Sequence, residues 1–561
     1  MNLTIKQNNQ VTEQVTSGVI DKLYNLTKED VANGITAIAT VLSGGLQGRI
    51  EAPAAYQDAV DYLNTHFGPN LIVSALAYYI RFADQEVIRV LLANNIGDGT
   101  GVTVQDAASA NLGTIFKNNT TIESFNELQY FSKPLVEQAF SGCSSLKSVT
   151  LPESQTILNR SIFASTALPS INIPVGYTTI RQNCFSRCSM LTQVSIPSTL
   201  ISLENYAFGN CDALDRVDIT DLDAWCGITF GNASANPLNY AKHLYLNNTL
   251  VTTVDLTNIT ELKQYVFINL ESLTSITNFS GLTAIGGSAF EGCINLVILN
   301  LNLPSLASLG NSAFRGTKVQ TISDLGSITS IPSSCFNDCK QLSSVSLSNL
   351  ITSIGNSAFQ GCTNLSIIVN LPNLVSLGQS AFYNTAITQV QDLGSIDEIP
   401  GSAFQNCSSI TNFVMPNSVT SIGWRGLENC GATGATITLS TGLKSVGRFG
   451  FTNSKFTTLV FPEGFTTLDM QSCNEMRSLI SVELPTTITS IGDGAFSSCG
   501  ALTKFVCKST TPNSISFGSN VFFNSPNVII YVPDENVNDY KTATGWSAYA
   551  SIIKGRSEIP T

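Results

Sequence analysis

Ala139-Phe140-Ser141-Gly142-Cys143-Ser144-Ser145-Leu146-Lys147-Ser148-Val149-Thr150-Leu151-Pro152 is the stretch whose reading decides the fold. Its end alternates with period two, which turns Val149 and Leu151 inward and leaves Thr150 outward, as on a half-buried strand. The same pattern returns at Cys184-Phe185 with Cys188, Leu191, Val194, Ile196 and Pro197, and at Cys335-Phe336 with Cys339, Leu342, Val345 and Leu347. Working outward, the Phe recurs at 140, 163, 185, 208, 267, 290, 314, 336, 359, 382, 404, 451, 496 and 522, mostly at intervals of 22 to 24 residues. Leu427 and Cys473 fall where Phe is due between 404, 451 and 496, and one interval of 59 residues, from Phe208 to Phe267, holds an insertion or two unusual repeats.

A period of this length is the signature of a solenoid, in which no coil can bury its apolar side alone and stacked neighbours share one core. The L-x-x-L-x-L run in each unit is the strand signature of a leucine-rich repeat, and an Ile-Gly step such as Ile354-Gly355 before Ala358-Phe359 supplies the opposite wall. About seventeen rungs spaced ~4.8 Å apart would extend roughly 80 Å. The pattern A-F-x-x-C-x-x-L-x-x-V-x-L-P followed by Ser-Ile-Gly resembles the BspA-like, Treponema pallidum-type leucine-rich repeats over residues 135 to 533. Two further pieces are similar to that family: Trp225 to Leu246, within an atypical insertion at about 220–260, and an ending with Tyr531, Pro533, Tyr540 and Trp546 that resembles its closing element. A second period lies on the first, since Leu303-Pro304, Ala313-Phe314, Asp324-Leu325-Gly326-Ser327 and Ile331-Pro332 return 68 residues later as Leu371-Pro372, Ala381-Phe382, Asp392-Leu393-Gly394-Ser395 and Ile399-Pro400. The expected class is α+β: a small helical N-terminal docking or capping domain (1–120), the repeat solenoid (121–533) and a C-terminal cap (534–561).

Of 14 cysteines, nine (143, 188, 211, 293, 339, 362, 407, 430 and 499) lie three residues after the Phe position, while Cys184 and Cys335 replace the Ala before it. Thr317 and Thr385 stand in for the first set. That register predicts a ladder of small buried side chains rather than disulfides. The C-x3-C spacings at Cys184–Cys188 and Cys335–Cys339 follow from the template and lack partner histidines, so no metal is expected. Cys226, Cys473 and Cys507 fall off the ladder, and any reactive thiol is expected among these three.

The first 120 residues have no repeat. Val19, Ile20, Leu23 and Leu26, then Val31, Ile35, Ile38 and Leu42, are spaced for amphipathic helices, and further helices are expected near 53–67, 70–82 and 84–95. Thr27-x-x-Asp30 and Thr103-x-x-Asp106 resemble capping boxes, and Thr121 to Phe125 reads as a first, capping strand. Gly97-Asp98-Gly99-Thr100-Gly101 lacks the Lys-Ser/Thr of a phosphate loop and the acidic spacing of a calcium loop, so it reads as a turn.

Composition narrows the function. Only 12% of residues are charged, about half the usual share, and the net charge is −12 with no basic run, which argues against nucleic acid and anionic membranes as partners. His66 and His243 stand in unrelated contexts, and no nucleophile with a base can be assembled, so no enzyme and no cofactor are expected. The longest apolar stretch, Leu71–Ile80, is far short of the ~20 residues that span a bilayer, and the first ten residues hold no apolar leader. The outward strand positions Thr150, Ser195, Asp218, Ser346 and Glu483 form an expected binding lane for a protein or glycan on a host or bacterial surface. Trp225, Trp424 and Trp546 are sugar-stacking candidates, the first and last of them within family structural elements. Adhesion or host interaction is what the resemblance implies. The preferred reading is a virion component whose N-terminal helices attach to other virion proteins, ahead of a cell-surface adhesin without its leader and a structural spacer, with an oligomer compatible with any of them.

Overall fold

The computed structural model describes residues 4–7, 10–14, 79–99 and 101–560. The helices expected between 19 and 67, the Thr27 capping box and His66 lie outside the described residues. The chain divides into two compact units, residues 1–81 with 91–108, and residues 82–90 with 109–561.

In the first unit, Thr4–Gln7 and Gln10–Gln14 pair antiparallel. The short helix Val104–Ser109 starts at a reciprocal capping box: the Asp106 amide donates to Thr103 Oγ1 (3.0 Å), and the Thr103 amide donates to the Asp106 carboxylate (2.9 Å). The glycine-rich stretch folds onto itself as a turn. The Asp98 amide reaches the Gly101 carbonyl (3.1 Å), and the Gly101 amide reaches the Asp98 carboxylate (3.0 Å).

The second unit is a β-solenoid of about 19 turns, two more than the repeat count predicted. Part of the difference is Phe116, whose context lacks the Ala-Phe signature. Its ring nevertheless stacks on Phe140 at 5.5 Å and its carbonyl accepts the Cys143 thiol. The start of the array is tied down by Asp84, whose carboxylate accepts the amides of Glu86, Glu123 and Ser124, while Phe82 packs on Phe125.

Each coil contributes two short strands. On the first wall Ser170–Asn172, Gln193–Ser195, Arg216–Ile219 and Leu244–Leu246 pair parallel, so Ile171, Val194, Val217 and Leu244 form one inward row. On the second wall Ser-Ile and Thr-Leu pairs stack likewise, and Glu398–Ile399 through Ser516–Phe517 make a continuous six-stranded ladder. The alternation read at 149–151 holds for Leu151, which is buried, whereas Val149 is half-buried.

The third side is built from turns, and it is as regular as the strands. In the Phe140, Phe163, Phe185, Phe290, Phe314, Phe336, Phe359 and Phe382 coils the Phe amide donates to a carbonyl of the next coil at 2.8–2.9 Å. The rings stack 5.2–5.6 Å apart with planes within 18° from Phe140 to Phe208 and again from Phe267 to Phe404. A left-handed residue stands two positions before and two after each Phe, such as Ser357 and Gly361 around Phe359. Two such residues per coil make the corners, which explains the Ser, Asn and Gly that recur there.

The insertion retains both wall strands but not the Phe turn. Thr229–Phe230 pairs with Ser202–Leu203, and Leu244–Leu246 with the strand ending at Ile219. In place of the Phe, buried Trp225 donates Nε1–H to the Val266 carbonyl (3.0 Å) and Asn236 donates to the Tyr265 carbonyl (2.8 Å). At the far end Ile553–Gly555 adds a strand to Ile529–Val532, and buried Trp546 packs against Phe517 and Tyr540. Tyr540 donates to the Ser509 carbonyl (2.8 Å), completing a closed end where an open apolar rung would invite aggregation.

Candidate interaction surfaces

The thiols come first, because fourteen cysteines would otherwise dominate any functional reading. All 14 are buried and unbridged. The ladder has a definite chemistry. Each of Cys188, Cys211, Cys293, Cys339, Cys362 and Cys407 donates its S–H to the carbonyl of the Phe in the preceding coil, at 3.0–3.1 Å. Where Thr takes the place, as at Thr166, Thr317 and Thr385, its hydroxyl donates to the Phe carbonyl of its own coil at 2.7–2.9 Å. Both residue types thus supply a small donor at this position, which Leu270 and Met476 fill without one in their own coils. Burial pushes these thiols up, Cys407 to about 11 and Cys339 to about 12, away from the thiolate that reactive chemistry requires.

The three off-ladder cysteines, where any reactive thiol is to be sought, are as enclosed as the rest. Cys226 is enclosed beside Trp225 with its pKa pushed to about 12, Cys473 fills a Phe place in the core, and Cys507 lies 3.2 Å from the Tyr540 hydroxyl. Desolvation raises all three. Among the described residues no three His, Cys, Asp or Glu side chains converge on a metal position. His243 is half-exposed and lies 3.2 Å from the Asp215 carboxylate.

The five lane residues all stand on or beside first-wall strands, but the structure brings only two of them together. Parallel pairing sets Asn172, Ser195, Asp218 and Tyr245 in one row. Asp218 is half-buried and spoken for: Arg216 grips it at 2.6–2.9 Å and Gln193 donates to it at 2.7 Å. The same guanidinium lies 4.0 Å over the Tyr245 ring. Thr150 belongs with the separate pair Ser124–Phe125 and Ser148–Val149, and Ser346 follows Ser344–Val345. Glu483 sits between Val460 and Val506 and pairs with Lys508. The first wall is thus a series of small polar patches interrupted by breaks between sheets.

One such break was not foreseen. Thr436–Thr438 ends one sheet and Thr458–Val460, in the next coil, starts another. An open cleft of about 350 Å³ lies between them, lined by Thr436, Ile437, Thr438, Leu439, Thr457, Thr458 and Val460. Of the three tryptophans, Trp225 and Trp546 are core, and Trp424 is 54% exposed.

Comparison with known families matches this chain to the BspA type leucine rich repeat region, in 6 copies, over residues 113–234, 260–388, 329–438 and 397–529. The chain belongs to the BspA-type leucine-rich-repeat family. Among solved structures, this BspA-type protein is similar to a leucine rich cell surface protein from Faecalibacterium prausnitzii (21% identity, 60% of this chain and 87% of that one, TM-score 0.33). It is also similar to a leucine-rich repeat protein from Bacteroides ovatus (19% identity, 74% and 86%, TM-score 0.30) and to the T. pallidum leucine rich repeat protein (18% identity, 38% and 76%, TM-score 0.20). At these identities the likeness concerns the repeat alone. No curated protein matches the chain. Leucine-rich-repeat proteins are in general interaction or adhesion scaffolds and not enzymes. No helix among the described residues is long and apolar enough to cross a membrane.

Proposed function

We propose that this BspA-type protein is a non-enzymatic recognition scaffold that is carried on a virion and meets a host surface through its solenoid. The observation that carries the scaffold reading is the use of the thiols. Every cysteine, the residue type most able to do chemistry here, is committed to the core, while the exposed positions of the walls differ from coil to coil. Many shallow polar patches repeated along a rod suit binding by avidity to a protein or glycan displayed in many copies. Residues 1–120 serve as the docking part, 121–533 as the presenting array and 534–561 as its cap. The separate compact unit that includes residues 91–108 supports that division.

Two measurements test this. Mass spectrometry of purified particles and of bacterial membrane fractions should find the full-length chain in the particles. Recovery from bacterial membranes alone would replace virion display with cell-surface adhesion. Full-length protein should also label host cells and be retained on a host-surface glycan or protein array. Failure to bind any of these would leave a structural spacer.

A further inference from the structure

The repeat provides its own control for reading function, because a position that changes in one coil without a packing reason stands out against its copies. The corner before the Phe is such a position. Six consecutive coils place Ser in the left-handed site two residues before it: Ser288, Ser312, Ser334, Ser357, Ser380 and Ser402. The next two coils place Arg425 and Phe449 there, in the same backbone conformation (φ 56° and 59°), which large side chains adopt at a cost. The residue before each also changes. Asn311, Ser333, Asn356, Gln379 and Gly401 give way to Trp424 and Arg448. Both coils then carry Gly426 and Gly450 where Ala is the rule, and a Cβ at Gly450 would meet Val446 Cγ1 at 2.6 Å, so both turns are drawn in against the second wall.

The four side chains form one array. The Arg425 guanidinium lies 4.6 Å from the Trp424 ring centre and 5.1 Å from that of Phe449, and Arg448 lies 4.7 Å from Phe449 on its own account. Arg425 is held at 3.0 Å by Glu428, which Gln405 also grips at 2.6 Å. Arg448 has no carboxylate partner among the described residues and is exposed. Trp424, with Arg425 beside one face of its indole, remains 54% exposed. Trp424 is the largest of the exposed apolar side chains among the described residues.

We infer that Trp424, Arg425, Arg448 and Phe449 form a binding site for a carboxylate-bearing saccharide, such as a sialic or uronic acid residue of a surface glycan. This rests on the recognition-scaffold reading and gives it a location. A sugar ring offers a C–H face to stack on an exposed indole, and its carboxylate takes a fork of N–H donors from Arg448. In a chain of net charge −12, an exposed guanidinium with no carboxylate partner among the described residues complements an anion. The backbone favours a sugar over an acidic peptide. The amides of Ser402, Arg425, Leu427 and Asn429 are already bonded to the next coil and those of Gly426 and Glu428 within the turn, so no strand edge is left for a peptide to extend.

Trp424 reports on its own site, since the other two indoles are enclosed. Titrating the full-length protein with sialyllactose and with a glucuronate disaccharide should shift and quench tryptophan fluorescence, and lactose should not. Arg448→Ala should weaken binding about tenfold or more, the size expected for losing a charge-assisted fork, with an unchanged melting curve because the side chain is exposed. Trp424→Ala should abolish the signal, and calorimetry should show the same loss of affinity. Saturable binding of poly-glutamate with no response to either acidic sugar would overturn the assignment in favour of a protein partner. If the protein labels host cells and both variants label them equally, the site is refuted while the scaffold reading stands. If the unaltered protein labels nothing but still binds sialyllactose, the site stands and the host-surface reading fails.

Discussion

Replacing Phe359 with alanine strikes the middle of the longest aromatic stack, and its effect can be worked out from the structure. The ring is fully enclosed, 5.6 Å from both Phe336 and Phe382 with planes within 9°. Truncating such a side chain costs about 3–5 kcal/mol, the sum of lost transfer energy and the cavity left behind. In a solenoid the penalty falls on one coil and its two interfaces instead of spreading through a single core. The Phe336 and Phe359 amides, each bonded to the next coil at 2.9 Å, should therefore open more easily by about 4 kcal/mol, which is about three orders of magnitude in hydrogen-exchange rate. Phe359→Leu should cost about 1 kcal/mol and speed the same amides about fivefold, because Leu427 occupies the equivalent place in its own coil. Phe523→Ala, at a ring 66% exposed, is the control for removing an aromatic that packs little. Two results would refute the reasoning. One is exchange in Phe359→Ala no faster than in the control. The other is equal acceleration at Phe163 and Phe185, far along the array, which would make the solenoid one cooperative unit.

The Cys–Phe ladder should accept a different donor but not a charge: Cys362→Thr is expected to melt within about 1 kcal/mol of the parent, and Cys362→Asp to be destabilised by several kcal/mol, as read by urea unfolding. Alkali should weaken the fold. A thiol whose pKa is raised on folding contributes stability that is whole below its unfolded value near 9 and falls away as pH climbs toward its folded value, about 11 for Cys407 and about 12 for Cys339. Each such thiol gives a slope of up to ~1.4 kcal/mol per pH unit in that window, and melting at pH 8 to 11 checks it. Gly326→Ala and Gly394→Ala should be equally damaging, since an added Cβ would lie 2.3 Å from the carbonyl of Leu306 in one case and of Leu374 in the other. Unequal losses by calorimetry would show that the 68-residue copies are not equivalent. Glu483→Gln should change stability by less than ~1 kcal/mol, because its pair with Lys508 is partly solvated.

What the sequence made legible was whatever the repeat says many times. The Phe column, the cysteine register and the two walls are each written in many copies, so chance departures such as Leu427 and Cys473 did not hide them. The corners were written as often, in the Ser, Asn and Gly around each Phe, but their meaning lies in backbone torsion and emerges only from φ. Phe116 escaped because it stands in a context of Thr114-Ile115, where the template has lost its other letters, and its stack on Phe140 and its carbonyl's bond from the Cys143 thiol admit it to the array. The lane residues all fall on or beside strands of one wall, yet their spacing in space depends on which strands actually pair, and the wall is divided into several separate sheets.

The same logic explains why the sequence marks only Trp424 of this corner, as one of three tryptophans, and not the residues around it. A template search rewards agreement, and the Trp424–Phe449 corner is notable for disagreement on four neighbouring exposed positions at once. Core positions in a solenoid are held in common by packing, since each ring must match the ring above and below it. Exposed positions answer to no neighbour, and most copies are small or polar, as at Asn311, Ser333, Asn356 and Gln379, with Tyr206 and Met470 as single large exceptions in their coils. Two adjacent coils that exchange such residues for a tryptophan, a phenylalanine and two arginines, and that also surrender the local alanines for Gly426 and Gly450, depart together and toward one chemistry. In a repeat protein, coherent departure from the template at exposed positions is therefore a better guide to function than the template itself.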